Sequence, residues 1–230
     1  MTAHIGLVGC SAEGAALCYK TLCVEGAASL GGYDHPEVSI HTHSLGDYVR
    51  CLDADDWEGI GELMLSSANK LAAAGADILI CPDNTIHRAM PHVMRHTPLP
   101  WLHIAEIVAK EAKRRQFKRV GLLGTSWLVS STVYPEKLAE CGIEFVRLEN
   151  REQDEISKII MDELVHGVIH DGQTACFQAA VGRMQATGCN AVVLGCTEIP
   201  LIMNDNNSAL PTLDSTRLLA RAALNYAIKA

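Results

Sequence analysis

The chain has 230 residues and a net charge of −8, with 48% hydrophobic and 20% charged residues. This composition is typical of a globular protein with a substantial buried core. Basic residues cluster only in short pieces around 113–119. We therefore expect no nucleic-acid partner, because phosphate binding needs clustered lysines and arginines. We expect no membrane partner either, since no run of about 18 or more uncharged apolar residues occurs.

Short apolar runs alternate along the chain with longer segments of helical period. Strands are predicted at 4–9, 37–45, 76–81, 119–123, 143–148 and 190–195. Helices are predicted near 12–28, 56–74, 86–95, 104–115, 132–140, 152–167, 172–187 and 215–228. This alternation is typical of α/β proteins with a parallel sheet and helices on both faces. The near-continuous apolar runs indicate strands that are buried on both faces.

The cysteines and the N-terminal segment indicate the cellular compartment in which we expect the protein. The nine cysteines are scattered irregularly, include no CxxC pair, and follow an N-terminal segment that lacks a basic region and cleavage site. We therefore expect a cytoplasmic protein with reduced thiols, without a disulfide framework or a zinc ribbon. His41 and His43 share one strand face, but no third ligand is evident, and we predict no metal site. GLVGCSAEG at the start is not GxGxxG, and no GxxxxGK[ST] occurs, so we expect no nucleotide cofactor.

Two stretches of the chain repeat each other. GADILICPDNT (75–85) matches GCNAVVLGCTE (188–198), and HIGLVGCS (4–11) matches RVGLLGTS (119–126). We therefore predict two pseudo-symmetric Rossmann-like α/β domains, 1–99 with 208–230 and 100–207, joined near 98–101 and separated by an interdomain cleft. The first match pairs Asp83 with Cys196, which would place an ionisable side chain on each wall of the cleft. Two opposed acid/base groups are what a two-base enzyme needs.

Ligands of parallel α/β sheets bind beyond the carboxyl ends of the strands. Two such ends carry the sequences Asp83-Asn84-Thr85 and Cys196-Thr197-Glu198. Backbone N–H groups at these junctions can hold a carboxylate, and a thiol near a helix N-terminus loses its proton more easily. Each tripeptide also has a purely structural interpretation, since Asp-Asn-Thr is a good helix cap and a lone buried cysteine usually packs. Their matching positions in a repeat favour a shared active site.

These residues carry a resemblance to the aspartate/glutamate racemase superfamily of cofactor-independent amino-acid racemases and related isomerases. The shared motifs are GLVG in the opening loop, NTIH (84–87), LHIA (102–105), GLLGT (121–125), LGCTEIPLI (194–202) and LDST (213–216). The resemblance implies two pseudo-symmetric α/β domains with the active site in the cleft between them. It also implies an isomerase that needs no cofactor, acts on an amino acid or related carboxylic acid, and forms a homodimer.

The resemblance implies a two-base reaction at Cα. In the family, one cysteine thiolate removes the α-proton and a second thiol on the opposite face returns one. Cys196 corresponds to the second cysteine. The residues implied to line the site and bind the substrate are Ser11, Asn84, Thr85, Thr125, Thr197 and Glu198.

Asp83 is the main departure from the family pattern, because it stands where the first catalytic cysteine directly precedes the Asn-Thr pair. Cys81 lies two residues earlier on the same strand face, but only position 83 reaches the turn that matches Cys196. We therefore predict Asp83 as the first acid/base group. Its carboxyl would need partial burial to retain a proton.

A second departure concerns the substrate side chain. Acidic-amino-acid racemases of the family use basic residues to bind the side-chain carboxylate. In the corresponding stretches, CLDADDW (51–57) and DEISK (154–158), this chain carries Asp53, Ala54 and Glu155. Arg50 or Lys158 could substitute. We predict that aspartate and glutamate are poor substrates and that a neutral or cationic side chain fits better.

The leading hypothesis is an amino-acid racemase or epimerase that uses Asp83 and Cys196. One alternative is a superfamily decarboxylase of malonate type or a cis–trans isomerase of maleate type, in which Cys196 acts alone. The other is a binding protein on a racemase scaffold, with the chemistry lost at Asp83.

Overall fold

A computed structural model describes residues 2–230. The chain divides into two compact units. The first runs to Ile104 and is completed by Thr216–Ala230, and the second is Ala105–Ser215. Each unit contains one four-stranded sheet in which every strand pair is parallel. The prediction of an α/β protein with two Rossmann-like, parallel-sheet domains is confirmed.

The two sheets have the same strand order. The first sheet runs β2-β1-β3-β4 and the second β6-β5-β7-β8. The strands are β1 Ile5–Gly9, β2 Val38–Thr42, β3 Ile78–Ile80, β4 Trp101–Leu102, β5 Arg119–Leu123, β6 Glu144–Val146, β7 Ala191–Leu194 and β8 Thr212–Asp214. In both units the two central strands are buried, apart from the half-buried Arg119 at the start of β5, as expected of a sheet covered on both faces.

Helices connect the strands in each unit. They are α1 Ala12–Leu30, α2 Leu45–Asp53, α3 Trp57–Ala73, α4 Met90–His96, α5 Ile104–Arg114, α6 Ser126–Val129, α7 Val133–Glu140, α8 Asn150–Asp162, α9 Asp171–Ala186 and α10 Ser215–Lys229. Short 3₁₀ turns follow β3, α8 and the segment after β7. No helix within residues 2–230 is long and apolar enough to cross a membrane.

The sequence repeat reappears in the register of the strands. In the first sheet Ile5 pairs with Ile78, and in the second Val120 pairs with Ala191. Ile5 corresponds to Val120 in one sequence repeat, and Ile78 corresponds to Ala191 in the other. Consequently, the residues that follow β3 and those that follow β7 occupy equivalent positions in their own units.

Five elements, β2, α2, β4, β8 and α8, show the main differences from the sequence prediction. The strand predicted at 37–45 ends at Thr42, and the unpredicted helix α2 begins at Leu45. Strands β4 and β8 were not predicted, because runs of two and three residues have no measurable periodicity. The helix predicted at 152–167 ends at Asp162, where a short 3₁₀ turn takes over.

Candidate active site

Asp83 lies three residues after β3, at the carboxyl end of the first sheet. Its side chain is half-buried, and its Oδ1 atom accepts a hydrogen bond from the Ile86 N–H at 3.2 Å. The carboxylate therefore caps the following 3₁₀ turn, Thr85–Ala89, as the structural interpretation predicts. It also remains partly accessible, so capping does not prevent a role in proton transfer. Asn84 beside it is buried and Thr85 is half-buried.

His87 holds the backbone of Asp83 in place. The carbonyl oxygen of Asp83 lies 2.6 Å from His87 Nδ1, and the Ile104 N–H donates to His87 Nε2 at 3.3 Å. Because Nε2 accepts, Nδ1 carries the proton and donates it to Asp83. Burial, reinforced by the neighbouring His103, holds the pKa of His87 well below 6.5. The ring is therefore a neutral support for the Asp83 turn.

Cys81, the alternative to Asp83, is fully buried. Burial raises the pKa of its thiol well above 9.0, and the nearby Asp83 raises it further. Cys81 therefore stays protonated and lacks the exposure that contact with a substrate requires. Its environment favours Asp83 as the acid/base candidate.

Tyr48 is a neighbour of Asp83 that sequence reasoning missed. It lies on α2 and is fully buried. Burial raises the pKa of its phenol, and the nearby side chains of Cys81, Cys10 and Asp83 raise it further. The phenol is thus a neutral hydroxyl group close to the candidate acid/base residue.

Ser11 lies at the same edge of the first sheet. It follows β1, which is adjacent to β3, and it is buried. Its hydroxyl caps α1 by accepting a hydrogen bond from the Gly14 N–H at 3.2 Å. The first unit therefore brings Ser11, Asp83, Asn84 and Thr85 to one sheet edge.

Cys196 lies two residues after β7 and is half-buried, like Asp83 in the first unit. Its thiol donates a hydrogen bond to Glu198 Oε2 at 2.9 Å, and the Thr197 hydroxyl donates to the same oxygen at 2.8 Å. Glu198 is 2% exposed, and its other oxygen, Oε1, has no hydrogen-bond partner within residues 2–230. Glu198 is therefore positioned to exchange a proton with the thiol of Cys196.

Two glycines bring the ends of β5 and β7 close together. A Cβ on Gly195 would lie 2.7 Å from the backbone oxygen of Leu123, and one on Gly124 would lie 3.3 Å from the Gly195 oxygen. Thr125 follows Gly124 and caps α6 by accepting from the Leu128 N–H at 3.3 Å. The second unit thus brings Thr125 to the same edge as Cys196, Thr197 and Glu198.

The residues predicted to determine substrate specificity lie on helices α2 and α8, not directly after a strand. Arg50 is exposed and pairs with Asp47 on its own helix. Glu155 and Lys158 are exposed residues of α8. Glu155 raises the pKa of Cys176, although burial does so more strongly, and Lys158 is one of the groups that lower the pKa of Glu163. Of the three, Arg50 has an ion-pair partner on its own helix.

Within residues 2–230, no group of three His, Cys, Asp or Glu side chains could hold a metal ion. None of the nine cysteines forms a disulfide bond in the part of the chain that the structure describes.

Comparison with known proteins identifies the family. The model of the Asp/Glu/Hydantoin racemase family matches residues 6–223. The glutamate racemase of Aquifex aeolicus is 28% identical over 172 residues, which cover 69% of this chain and 62% of that protein. The chain therefore spans less than two thirds of that relative.

Two solved structures are similar over nearly their whole length. A protein assigned to the Asp/Glu racemases from Yersinia pestis is 27% identical, with a TM-score of 0.89 and coverage of 98% of this chain and 99% of that one. An aspartate racemase homologue from Pyrococcus horikoshii is 26% identical, with a TM-score of 0.84 and coverage of 99% and 100%. With the family model matching almost from end to end, this chain belongs to the Asp/Glu/Hydantoin racemase family.

Proposed function

We propose that this protein is a cofactor-independent amino-acid racemase or epimerase in which Asp83 and Cys196 act as opposed acid and base at Cα. The observation that carries the proposal is the equivalence of the two residues. Both are half-buried, and both follow the second central strand of sheets that share one order and one register. The glutamate racemase and the aspartate racemase homologue among the similar proteins support assignment as an isomerase.

In one direction, Glu198 accepts the proton of the Cys196 thiol along their hydrogen bond, and the thiolate removes the α-proton. The Asp83 carboxyl then delivers its proton to the opposite face of Cα. In the reverse direction the Asp83 carboxylate removes the α-proton and the Cys196 thiol returns one. The two groups differ in intrinsic acidity, with reference pKa values of about 3.9 for a carboxyl and about 8.5 for a thiol.

The α-proton of an amino acid is very weakly acidic, so the site must stabilise the charge that develops on the substrate carboxylate. Short hydroxyl and amide side chains at the two sheet edges, with nearby backbone N–H groups, are suited to this role. We assign this role to Ser11, Asn84, Thr85, Thr125 and Thr197. We also assign substrate binding to Glu198, whose carboxylate suits the ammonium group of the substrate.

We propose that the substrate side chain is neutral or cationic. Arg50 and Lys158, the basic residues that could bind a side-chain carboxylate, are both exposed, and Arg50 is already paired with Asp47. Glu155, one turn before Lys158, would repel an acidic side chain. Aspartate and glutamate are then poor substrates.

From the family resemblance, we further propose that the protein is a homodimer that acts in the cytoplasm. Light scattering on the purified protein tests the assembly, and a mass of a single chain contradicts it. Cell fractionation tests the compartment.

The proposed function is tested by α-proton exchange, followed by NMR in deuterated water with a panel of L- and D-amino acids. Asp83→Ala and Cys196→Ala should each lower exchange by about 10² to 10⁴-fold, the usual contribution of an acid/base group. Cys81→Ala is the matched control, because this buried thiol is not assigned a role and the exchange rate should persist.

Three outcomes distinguish the hypotheses. Loss of exchange in both variants supports two-base chemistry. A reaction that needs Cys196 but survives Asp83→Ala points instead to a decarboxylase or cis–trans isomerase with a single thiol. Absence of exchange with every amino acid contradicts the racemase proposal.

A further inference from the structure

Helix α8 contributes a buried glutamine to the carboxyl end of β5. Gln153 is 6% exposed, and its Nε2 atom donates a hydrogen bond at 2.8 Å to the carbonyl oxygen of Gly124, which directly follows β5. The other polar atom of the side chain, Oε1, is buried and has no hydrogen-bond partner within residues 2–230. Glutamine is mostly an exposed residue, and a buried polar atom without a partner is unfavourable. The presence of an amide at this position therefore needs an explanation.

The stability of the fold does not account for this amide. A nonpolar side chain of similar length, such as methionine, would leave the Gly124 oxygen without its donor, but it would also remove the unsatisfied oxygen of Gln153. These two changes have opposite effects on stability. What the glutamine adds is a directional contact, which fixes the orientation of the Gly124 carbonyl group.

A second side chain of α8 holds the residue on the other side of Thr125. Ser126 donates its backbone N–H to Ser157 Oγ at 3.0 Å, and its hydroxyl group donates to Asp154 Oδ1 at 3.3 Å. Ser157 lies four residues after Gln153, so the two side chains share one face of the helix. One face of α8 therefore contacts both sequence neighbours of Thr125.

The two contacts hold the two peptide groups that flank Thr125. The Gly124 oxygen belongs to the peptide group before Thr125, and the Ser126 N–H belongs to the peptide group after it. Each peptide group is planar, so the backbone at Thr125 can change only through the two dihedral angles between these planes. When both planes are fixed, the Cα and Cβ atoms of Thr125 are fixed as well.

The hydroxyl group of Thr125 has little freedom of its own. Threonine is branched at Cβ, which restricts its χ1 angle, and Oγ1 also accepts a hydrogen bond from the Leu128 N–H at 3.3 Å. The position of the hydroxyl group therefore follows the position of the backbone. A shift of either flanking peptide group would move the hydroxyl group too.

We propose that Gln153 and Ser157 are positioning residues, which hold the Thr125 hydroxyl group where it donates to the substrate carboxylate. The proposal rests on the proposed function, which assigns Thr125 to the substrate carboxylate. Gln153 and Ser157 do not touch the substrate. They act through Thr125, by fixing the loop between β5 and α6 against α8.

Loss of the Gln153 contact should weaken substrate binding and slow the reaction. In Gln153→Met, KM should rise by about tenfold and kcat/KM should fall by up to about 10²-fold, since misplacing a binding group by about 1 Å can cost that much. Binding of the substrate carboxylate before the reaction determines the effect on KM, and the charge that develops on it in the transition state determines the effect on kcat. The measurement is the initial rate of racemisation over a wide range of substrate concentration, with the best amino acid from the exchange panel.

The rise of KM separates positioning from a loss of folded protein. A variant that folds poorly contains fewer active molecules, so its apparent kcat falls while KM stays the same. Urea unfolding of Gln153→Met is the companion measurement, and its midpoint should stay close to that of the wild type. A lowered midpoint together with an unchanged KM would leave Gln153 a purely structural role.

Ser157 allows a rescue experiment. Ser157→Ala removes the acceptor of the Ser126 N–H, and it should raise KM in the same direction as Gln153→Met. Ser157→Thr keeps a hydroxyl group at this position, and its KM should lie within about twofold of the wild type. An equal KM in the alanine and threonine variants would contradict a role for this hydroxyl group.

A double-mutant cycle tests whether Gln153 acts through Thr125. Thr125→Val removes the hydroxyl group, so no group remains for Gln153 to position. In the Thr125→Val background, Gln153→Met should therefore lower kcat/KM by less than about twofold, whereas equal effects in the two backgrounds refute the proposal. The KM and rescue measurements decide the proposal even where Thr125→Val reacts too slowly to be measured.

Gln178→Met is the matched control. Gln178 is exposed on α9, and its Nε2 atom also donates to a backbone oxygen at 2.8 Å, that of Asn207. This hydrogen bond has the same chemistry and length as that of Gln153, but it does not hold a neighbour of an assigned substrate-binding residue. The control variant should retain the wild-type kcat and KM.

The results separate the positioning role from the proposed function. Wild-type protein without any α-proton exchange refutes both. Active wild-type protein with an unchanged KM in Gln153→Met refutes the positioning role alone. An equal rise of KM in Gln178→Met also refutes it, because the effect would then not depend on the contact with Gly124.

Discussion

Protonation of His87 is expected to destabilise the protein in mild acid. In the native structure the ring is buried and neutral, with its pKa held well below 6.5. In the unfolded chain the ring takes up a proton as the pH falls through about 6.5. The unfolded state then binds more protons than the native state, so the free energy of unfolding decreases as the pH falls.

The size of the effect follows from the same linkage. Each pH unit between the unfolded and the native pKa costs about 1.4 kcal/mol. Between about pH 7 and about pH 5, His87 alone should remove up to about 2 kcal/mol from the free energy of unfolding. This is a large part of the stability of a typical domain, about 5–15 kcal/mol.

Urea unfolding of the wild type and His87→Gln at both pH values isolates this contribution. At about pH 7 the variant should be less stable by about 1–3 kcal/mol, because glutamine cannot make both hydrogen bonds of the imidazole. At about pH 5 this deficit should shrink by about 2 kcal/mol, since glutamine does not titrate. A deficit that is the same at both pH values would refute the reasoning.

Three further substitutions test the site and the fold. Gly195→Ala places a Cβ 2.7 Å from the rigid backbone oxygen of Leu123, and it should destabilise the protein by about 1–3 kcal/mol in urea unfolding and displace Cys196. Glu198→Gln removes the carboxylate that accepts the hydrogen bond of the Cys196 thiol. Under the proposed function, α-proton exchange measured by NMR should then fall by about 10² to 10⁴-fold. Glu111 has its pKa lowered to about 2 by hydrogen bonds from exposed arginines. Glu111→Gln should therefore cost about 1 kcal/mol above pH 4.5, a difference that acid titration should show disappearing as the pH falls toward about 2.

Each of these predictions has a result that contradicts it. Wild-type stability and activity in Gly195→Ala would show that the close approach of β5 and β7 is not required. Full exchange in Glu198→Gln would remove Glu198 from proton transfer. A stability difference in Glu111→Gln that persists at about pH 2 would mean that the glutamate acts through packing and not through its charge.

The repeated strands could be predicted from the sequence because their apolar runs and flanking residues recur at fixed offsets. The pairing of Ile78 and Ala191 with equivalent partners follows from that repeat. The position of Asp83 at a strand end was predictable for the same reason. Its hydrogen bond to Ile86 and its support by His87 depend on the conformation of the turn, which no periodicity reports.

The burial of Tyr48 near the site could not be found from the sequence, because no helix is predicted over α2. The strand predicted at 37–45 includes the first residue of α2, and no helix is predicted over the rest of α2. Leu45, Tyr48, Val49 and Leu52 do have the spacing of a buried helical face, which is the signal that could have located Tyr48. The neighbours of Tyr48 come from the residues that follow β1 and β3 and from α3, and they are set by tertiary packing.

Under the proposed function, a carboxyl group and a thiol at the ends of equivalent strands have a consequence for the two enantiomers of the substrate. Mirror-image amino acids have the same free energy in water, so a racemase must have equal kcat/KM values for the two directions at any pH. A pair of groups as different as Asp83 and Cys196 cannot make the two enzyme-bound enantiomers equivalent. Any imbalance in kcat must therefore be offset by an equal imbalance in KM, and the enantiomer with the lower kcat must also have the lower KM.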